Sequence, residues 1–196
     1  MMSALLILLA YLLGSISSAI VVSRIMGLPD PRTMGSGNPG ATNVLRTGNK
    51  KAAAITLLGD ALKGLVPVLL AKMLGMEPSV IALVAIAAFL GHLYPVFFGF
   101  KGGKGVATAL GIFLAVSFPV GLLLAASWFV IAYITKISSI SALIAACLSP
   151  FYIFFVDGEM TYVVMAVFLS VVLVYRHKSN IRDLLSGKEG KITDKD

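Results

Sequence analysis

The sequence predicts an all-α integral membrane protein of seven transmembrane helices, with the amino terminus outside the cytoplasm and the carboxyl terminus inside it. The first observation is composition: 58% of the 196 residues are apolar and only 13% are charged, against roughly 25% charged residues in an ordinary soluble domain. The second is that the apolar residues form long runs without the alternation typical of barrel strands. The third is the distribution of Lys and Arg along the chain.

Each long apolar run is predicted to form one helix, because about 20 apolar residues cross the hydrocarbon core of a bilayer. The first run is expected to be retained and not cleaved as a signal peptide, since no Lys or Arg precedes Arg24 and the run continues through Val22. The runs form a single polytopic domain with predicted spans at 3–25, 53–74, 79–98, 104–118, 120–135, 138–156 and 160–175 and a basic cytoplasmic tail at 176–196.

The number of spans depends on the run from Val106 to Ile134. As one helix this run would be about 43 Å long, at about 1.5 Å per residue, which exceeds the hydrocarbon core. A turn at 117–119 gives two short helices instead, and then every Lys and Arg except Lys63 and Lys72 lies on one side of the membrane. Basic residues concentrate on the cytoplasmic side, so this arrangement predicts seven spans and motif-bearing loops that face the cytoplasm.

The same composition argues against several functions. The net charge of +7 does not indicate a nucleic-acid partner, because the basic residues flank apolar spans, where membrane lipids are the expected partners. Cys147 is alone and the two histidines are far apart, so neither a metal site nor a cofactor is predicted. Asp60 and Lys63 are three apart on one face of the second span, where they are predicted to pair. They either fix helix packing or face a wet cavity, and both interpretations stay open.

The first polar segment, residues 35–43, is dense in glycine and in hydrogen-bonding side chains. Its G-x-G-x-x-G spacing does not indicate a dinucleotide site, because it follows a membrane helix and not a strand. The physical content of the spacing remains: glycine amides can close around an anion, and Arg46 offers a planar fork for phosphate. The segment predicts an anion site with neutral donors from Ser36, Asn38, Thr42 and Asn43.

The second segment, residues 91–108, also points to phosphate. It lacks the Walker A spacing, but Gly102 and Gly103 precede a predicted helix start, whose free amides attract anions. Lys104, which glycines flank on both sides, is the better ligand, whereas Lys101 could equally anchor the topology. His92, inside the preceding span, is interpreted as a hydrogen-bonded packing residue.

The third segment follows the last span. If the chain remains helical there, His177 and Asn180 share one face near the membrane surface, with Arg182 and Glu189 further along. The alternative interpretation is a basic tail that binds anionic headgroups.

Together, residues 35–46, 91–108 and 177–189 resemble the bacterial acyl-phosphate:glycerol-3-phosphate acyltransferase family, and the resemblance extends over the whole chain. It implies transfer of a fatty acyl group from acyl-phosphate to the 1-hydroxyl of sn-glycerol 3-phosphate, which yields lysophosphatidic acid and phosphate. It further implies a multi-pass enzyme of the bacterial plasma (inner) membrane that serves phospholipid biosynthesis. The soluble enzyme that makes acyl-phosphate is an implied transient partner.

The resemblance also implies roles for individual residues. The implied catalytic residues are Ser36, Arg46, Lys104, His177 and Asn180. Substrate binding is expected from Gly37, Asn38, Gly40, Thr42, Asn43, Lys101, Gly102, Gly103 and Gly105, and for the glycines of the second segment the resemblance implies this role. Structural support is expected from Asp60, Lys63 and Glu189.

Three groups could accept the proton of the attacking hydroxyl or carry the acyl group. His177 could act as a general base, or a substrate phosphate with a second pKa of about 6 could accept the proton. A covalent acyl-Ser36 intermediate is the third option. We favour direct transfer in a ternary complex, with Ser36 as a hydrogen-bond donor. The competing function is a small transporter of phosphorylated solutes, which typically shows internal repeats and sites near the bilayer midplane. The sequence contains no such repeat.

Overall fold

The structure, a computed structural model, describes residues 1–192, and these residues form helices and connecting loops without a β-strand. The last four residues of the predicted basic tail lie outside the described range. The helices are α1 (Met2–Gly14), α2 (Ser18–Ile25), α3 (Ala41–Arg46), α4 (Lys50–Met73), α5 (Pro78–Leu93), a 3-10 turn (Val96–Phe98), α6 (Val106–Val116), α7 (Phe118–Thr135), α8 (Ser138–Val156), α9 (Met160–Arg176) and α10 (Lys178–Leu185).

The predicted all-α membrane fold is confirmed, whereas the count of seven spans is not. Within residues 1–192, α4, the segment Pro78–Phe98, α7 and α8 are each long and apolar enough to cross a membrane. The pairs α1–α2 and α9–α10 add up to two more if each counts as one span bent by 45° and 58°, respectively. The predicted fourth span is the exception, because the 11 residues of α6 extend only about 16 Å at about 1.5 Å per residue.

The first predicted span is broken, which the sequence analysis did not foresee. α1 ends at Gly14 and α2 begins at Ser18. The break between them leaves the carbonyl of Ile16 without a helical partner. Lys63 of α4 supplies one, since its Nζ donates to the Ile16 oxygen at 2.8 Å. The lysine thereby satisfies a backbone group that would be costly to leave unpaired inside a membrane.

The shortness of α6 follows from the path of the second segment. Residues 99–105 descend into the bundle in place of the first turns of a helix, and the amides of Gly102 and Gly103 donate to Leu93 and His92 carbonyls at 3.2 Å each. Non-helical backbone is tolerated at such depth only when protein groups satisfy it. At the other end of α6 the chain turns at Ser117 as predicted, and Lys72 Nζ donates to the Ala115 and Val116 carbonyls.

Glycines bring the central helices into close contact. A Cβ on Gly14 would lie 2.2 Å from the Ala88 carbonyl oxygen, and one on Gly91 would lie 2.3 Å from that of Tyr11, so α1 and α5 nearly touch. Gly111 of α6 packs in the same way against the backbone of α4. Small residues that permit such approach are the usual means of helix association in membranes. The resulting core holds the loops 26–40, 94–105 and 177–192 at one end of the bundle.

Candidate active site

One cavity of about 940 Å³ opens among the three polar segments and continues between apolar helices. Its polar end receives most of the predicted site residues: Ser36, Asn38, Gly40, Thr42, Asn43, Arg46, Lys104, Gly105, His177, Asn180 and Glu189. Its apolar part is walled by side chains of α4, α6, α7 and α8, such as Leu57, Phe113, Leu124 and Trp128. The expected convergence of the three segments is therefore present in the fold.

Four predicted ligands do not line this cavity. Gly37, Lys101 and Gly102 instead line a second pocket of about 490 Å³. Gly103 lines neither pocket, and its Cα lies so close to His92 that an added Cβ would sit 2.3 Å from the His92 Nε2. Gly102 and Gly103 therefore pack closely just before Lys104. Lys101, predicted to bind substrate, lies apart from the cavity that the predicted catalytic residues line.

Asn43 organises the first segment. Its Oδ1 accepts from the Ser36 amide at 3.0 Å, and its Nδ2 donates to the carbonyls of Pro31 and Met34 at 2.7 and 3.1 Å. The side chain is 3% exposed, so its polar atoms shape the loop and are not free for a ligand. Thr42 contacts the start of α8, with its Oγ1 3.3 Å from the Ser138 Oγ.

Arg46 is a cation of the cavity wall with an unsatisfied guanidinium nitrogen. It is the last residue of α3, and its Nε is buried without a hydrogen-bond partner. Among residues 1–192 it forms no ion pair with a carboxylate. A guanidinium held beside a cavity without a counterion is suited to an incoming phosphate.

Lys104 belongs to a hydrogen-bonded chain that joins the second and third segments. Its Nζ donates to the Asn180 Oδ1 at 2.5 Å, and the Asn180 Nδ2 donates to the Glu189 Oε1 at 2.7 Å. The same carboxylate oxygen accepts from the Ser139 Oγ at 2.5 Å. Burial lowers the pKa of Lys104 from its usual value. Glu189 thus contacts the asparagine that in turn contacts the lysine, and its role as structural support stays a prediction.

His177 occupies the junction of α9 and α10 and is 3% exposed. Its Nδ1 lies 2.8 Å from the Leu173 carbonyl oxygen. A carbonyl can only accept, so Nδ1 carries the proton and the Nε2 of the neutral ring is a free acceptor. Burial lowers the pKa of His177 to about 4, which keeps the imidazole neutral near pH 7.

Comparison with known proteins agrees with this architecture. The model of the family described as glycerol-3-phosphate acyltransferase matches residues 4–187.

The chain belongs to the glycerol-3-phosphate acyltransferase family.

Its relatives include the glycerol-3-phosphate acyltransferase of Thioalkalivibrio sulfidiphilus, 60% identical over 100% of this chain and 96% of the relative. That of Methylococcus capsulatus is 57% identical over 96% and 95%. The crystal structure of PlsY, an integral membrane glycerol 3-phosphate acyltransferase in its glycerol 3-phosphate form, superposes with a TM-score of 0.93 at 40% identity, covering 97% of this chain and 96% of PlsY. The protein is accordingly an acyltransferase and an integral membrane protein.

The acyltransferase uses one residue that the sequence analysis missed. The Nη2 of Arg176 donates to the carbonyls of Gly102 and Gly103 at 3.0 and 3.1 Å, and its guanidinium stacks on the Tyr94 ring at 5.3 Å. Arg176 therefore fixes the loop directly before Lys104. It was counted only as part of the basic tail, because nothing in the sequence around it indicates a contact more than 70 positions away.

The buried charges of α4 lie behind the cavity of the acyltransferase. The predicted contact of Asp60 with Lys63 is present, at 2.9 Å between Oδ1 and Nζ, and His92 Nδ1 lies 3.6 Å from the same oxygen. All three side chains are buried, and Asp60 and His92 also border the cavity. Because His92 packs against Gly103, this cluster supports the second segment. The packing role interpreted for His92 is seen, but its Nδ1 has no hydrogen-bond partner within residues 1–192.

Replacement of Arg176 by methionine is expected to lower kcat/KM for glycerol 3-phosphate about 10-fold, because charge-assisted hydrogen bonds contribute about 1.5–3 kcal/mol and their loss frees the loop before Lys104. Lysine at this position should restore part of the loss, since one ammonium can reach both carbonyls. Steady-state kinetics measures kcat/KM for the methionine and lysine variants, and thermal unfolding confirms that both are folded. The matched substitution Lys178→Met, two positions later and exposed, should change kcat/KM less than about twofold. Equal losses in the two variants would contradict the positioning role.

The ring of His177 is expected to stay neutral down to about pH 5, because its pKa of about 4 lies below the usual value of about 6.5. The folded state binds this proton less readily than the unfolded chain, so the acyltransferase should lose stability as the pH falls below about 6.5 toward 4. Nitrogen-15 histidine NMR measures the titration directly, and His92→Gln assigns the two signals. A midpoint near 6.5 for His177 would contradict the prediction.

Proposed function

We propose that this acyltransferase moves a fatty acyl group from acyl-phosphate to the 1-hydroxyl of sn-glycerol 3-phosphate, by direct transfer within a ternary complex. The observation that carries the proposal is that a single cavity has a basic, polar end at the loops and an apolar extension between helices. Such a shape suits a reaction in which a soluble phosphate ester meets a donor that carries both a phosphate and a hydrocarbon chain. The products are lysophosphatidic acid and inorganic phosphate.

Neutralising two phosphates is the first requirement of this reaction. Arg46 and Lys104 stand on separate segments of the same cavity wall, so each can hold one anion while both reactants are present. The unpartnered Arg46 Nε suits a bidentate contact, and Lys104, placed by Asn180, offers a point charge. Holding both reactants in position can supply on the order of 7–11 kcal/mol of the rate enhancement in well-oriented cases.

The leaving group needs little help, since an acyl-phosphate is a mixed anhydride whose phosphate departs readily. The carbonyl oxygen becomes an oxyanion during attack and requires a donor. Ser36 lines the cavity and its hydroxyl is assigned this task. No hydrogen bond joins the Ser36 hydroxyl to a histidine within residues 1–192, which supports a donor role over that of an activated nucleophile.

The proton of the attacking hydroxyl is assigned to a substrate phosphate. A phosphate monoester has a second pKa of about 6, whereas burial holds the pKa of His177 at about 4, so the phosphate is the stronger base of the two. His177 then acts through its free Nε2, which accepts a hydrogen bond from the other hydroxyl of glycerol 3-phosphate and so orients the 1-hydroxyl toward the carbonyl carbon. The oxygen forms the new ester bond, the bond from carbonyl carbon to phosphate oxygen breaks, and the proton leaves on phosphate.

The orientation proposed for the enzyme follows the basic residues. Seven spans, with α6 as a short inserted one, would place the loops of the cavity and the carboxyl terminus in the cytoplasm, where glycerol 3-phosphate is available. The proposed location is the bacterial plasma (inner) membrane. Acyl-phosphate would come from a soluble enzyme in transient contact with the same face. PlsY has been crystallised in glycerol 3-phosphate and lysophosphatidic acid forms, which supports the acceptor and product assigned here.

The test is turnover of glycerol 3-phosphate by the purified protein in lipidic medium, with palmitoyl-phosphate and palmitoyl-CoA as rival donors. Lysophosphatidic acid from palmitoyl-phosphate alone is the expected result. Product from palmitoyl-CoA alone would overturn the donor assignment, and product from neither in a folded sample would favour the transporter. Quenched reactions analysed by intact mass spectrometry would reveal an acyl group on Ser36, and its accumulation would overturn direct transfer.

A further inference from the structure

The second pocket, on the outer side of the same loops, carries an excess of positive charge. It has a volume of about 490 Å³ and three cationic side chains in its wall, Arg32, Lys101 and Arg176, against one carboxylate, Asp30. The reaction proposed above places no substrate on these charges, although Arg176 also positions the loop before Lys104. Three cations beside one anion leave a local surplus of two positive charges in a concave site.

The single carboxylate of this pocket is already paired within the protein. Asp30 forms a two-pronged pair with Arg32, at 3.0 Å from Nε to Oδ1 and 2.6 Å from Nη2 to Oδ2, and the hydrogen bonds from Arg32 hold the pKa of Asp30 below its usual value. The pair orients the guanidinium. Arg176 is fixed by the two glycine carbonyls, and Lys101 is exposed and forms no ion pair within residues 1–192. Lys101 is thus the cation of this pocket whose side chain has no ion-pair or backbone partner within residues 1–192, whereas Arg32 and Arg176 each have one.

An unusual backbone conformation marks the same place. Phe100 has a φ of 60°, in the left-handed region that bulky residues rarely adopt and that costs of order 1–3 kcal/mol. No apolar burial compensates for this cost, since the Phe100 side chain is 57% exposed and Phe97 beside it is 59% exposed. The strain directs an aromatic ring outward next to Lys101. Exposed apolar side chains such as Phe beside Lys or Arg are typical of segments that lie in the membrane interface.

The two pockets share the loops that separate them. Along the first segment, Ser36 and Asn38 line the cavity whereas Gly37 and Pro39 line the second pocket. Along the second segment Lys104 lines the cavity, and Lys101 and Gly102 line the pocket. An occupant of the pocket therefore touches the reverse side of both segments.

We propose that this second pocket binds the phosphate group of an anionic membrane phospholipid, with its cations on the headgroup and Phe97 and Phe100 against the chain region. Clusters of basic side chains at the membrane surface attract anionic headgroups at about 1 kcal/mol per Lys or Arg, and the exposed rings favour a lipid over a free anion. The bound lipid would brace the two segments from outside the catalytic cavity.

Native mass spectrometry of the full protein, released from neutral detergent and titrated with phosphatidylglycerol, tests the proposal without reference to turnover. The wild type is expected to retain one lipid at low lipid concentration. The double variant Arg32→Gln/Lys101→Gln should bind it about 10-fold or more weakly, by the loss of two charges at about 1 kcal/mol each. The matched control Lys51→Gln/Lys178→Gln removes the same charge at exposed positions outside both pockets and should bind like the wild type.

Three outcomes would overturn the assignment. Equal weakening in both double variants would mean diffuse electrostatic attraction, and unchanged binding in Arg32→Gln/Lys101→Gln would place the lipid elsewhere. Loss of the lipid in Arg46→Gln would place it in the catalytic cavity. Addition of inorganic phosphate separates the sources of the phosphate: displacement of the lipid by phosphate at equal concentration would identify a soluble anion as the ligand. Single Lys101→Gln provides the same comparison should the double variant fail to fold.

Discussion

Arg46→Gln is expected to lower kcat/KM for glycerol 3-phosphate by about 10²- to 10³-fold, which is the loss typical of removing one preorganised group that stabilises charge in a transition state. The size of the effect follows from its environment: the Arg46 Nε is buried beside the cavity without a partner, and no carboxylate within residues 1–192 forms an ion pair with it. Glutamine keeps a donor but removes the charge and the fork.

The matched control for Arg46 is Lys51→Gln. Lys51 is exposed, is the second residue of α4, and does not line the cavity. The substitution Lys51→Gln removes the same charge as Arg46→Gln and should change kcat/KM less than about twofold, as expected for a solvated surface cation. Initial rates with palmitoyl-phosphate measure both variants, and thermal unfolding confirms that both are folded. A loss for Arg46→Gln no larger than that for the control would remove Arg46 from the site.

Lys104→Gln is expected to produce a second loss of about 10²-fold or more in kcat/KM, because the ammonium is half-buried at the cavity and no other lysine of the second segment lines that cavity. Asn180→Ala should reproduce part of this loss, since Asn180 holds the Lys104 ammonium and is itself held by Glu189. In the double variant Lys104→Gln/Asn180→Ala, the loss of transition-state stabilisation should be smaller than the sum of the losses in the two single variants, as for residues that act as one unit.

The matched control for Lys104 lies in the same loop. Lys101→Gln removes an equal charge three positions earlier, but Lys101 lines the second pocket, so in neutral lipid its loss should stay within about fivefold. Steady-state kinetics with the concentration of each substrate varied in turn would show which phosphate Lys104 serves. If Lys101→Gln and Lys104→Gln are equally impaired, the separation of the two pockets has no functional meaning.

Much of the fold follows from local chemistry that can be recognised in the sequence. The apolar runs predict helices because a bilayer leaves the backbone no other partner than itself, and α8 begins and ends at the predicted residues 138 and 156. The turn at Ser117 was correctly predicted, because a turn there puts the Lys and Arg residues before and after this apolar run on the same side of the membrane. The predicted contact of Asp60 with Lys63 is also local, as residues three apart on one helix face meet whatever the tertiary fold.

The candidate site was predicted in its parts and not in its arrangement. Glycine-rich and basic segments indicated anion binding. Their spacing alone could not show that Lys104 and Lys101 line different pockets. Nor could the spacing show that the side-chain amide of Asn43 forms its hydrogen bonds within its own loop. These distinctions depend on which side of a loop faces inward, and that is decided by contacts with other helices.

What the sequence by itself determined is the class of molecule, the positions of most helices and the three segments that carry the chemistry, because these depend on composition and on neighbours within a few residues. Only the tertiary structure decided that the first span breaks at Ile16, where Lys63 accommodates the freed carbonyl, and that α6 is short. It alone showed Arg176 bound to Gly102 and Gly103. In each case a backbone group finds its partner on a distant helix, and packing of the whole bundle selects that partner.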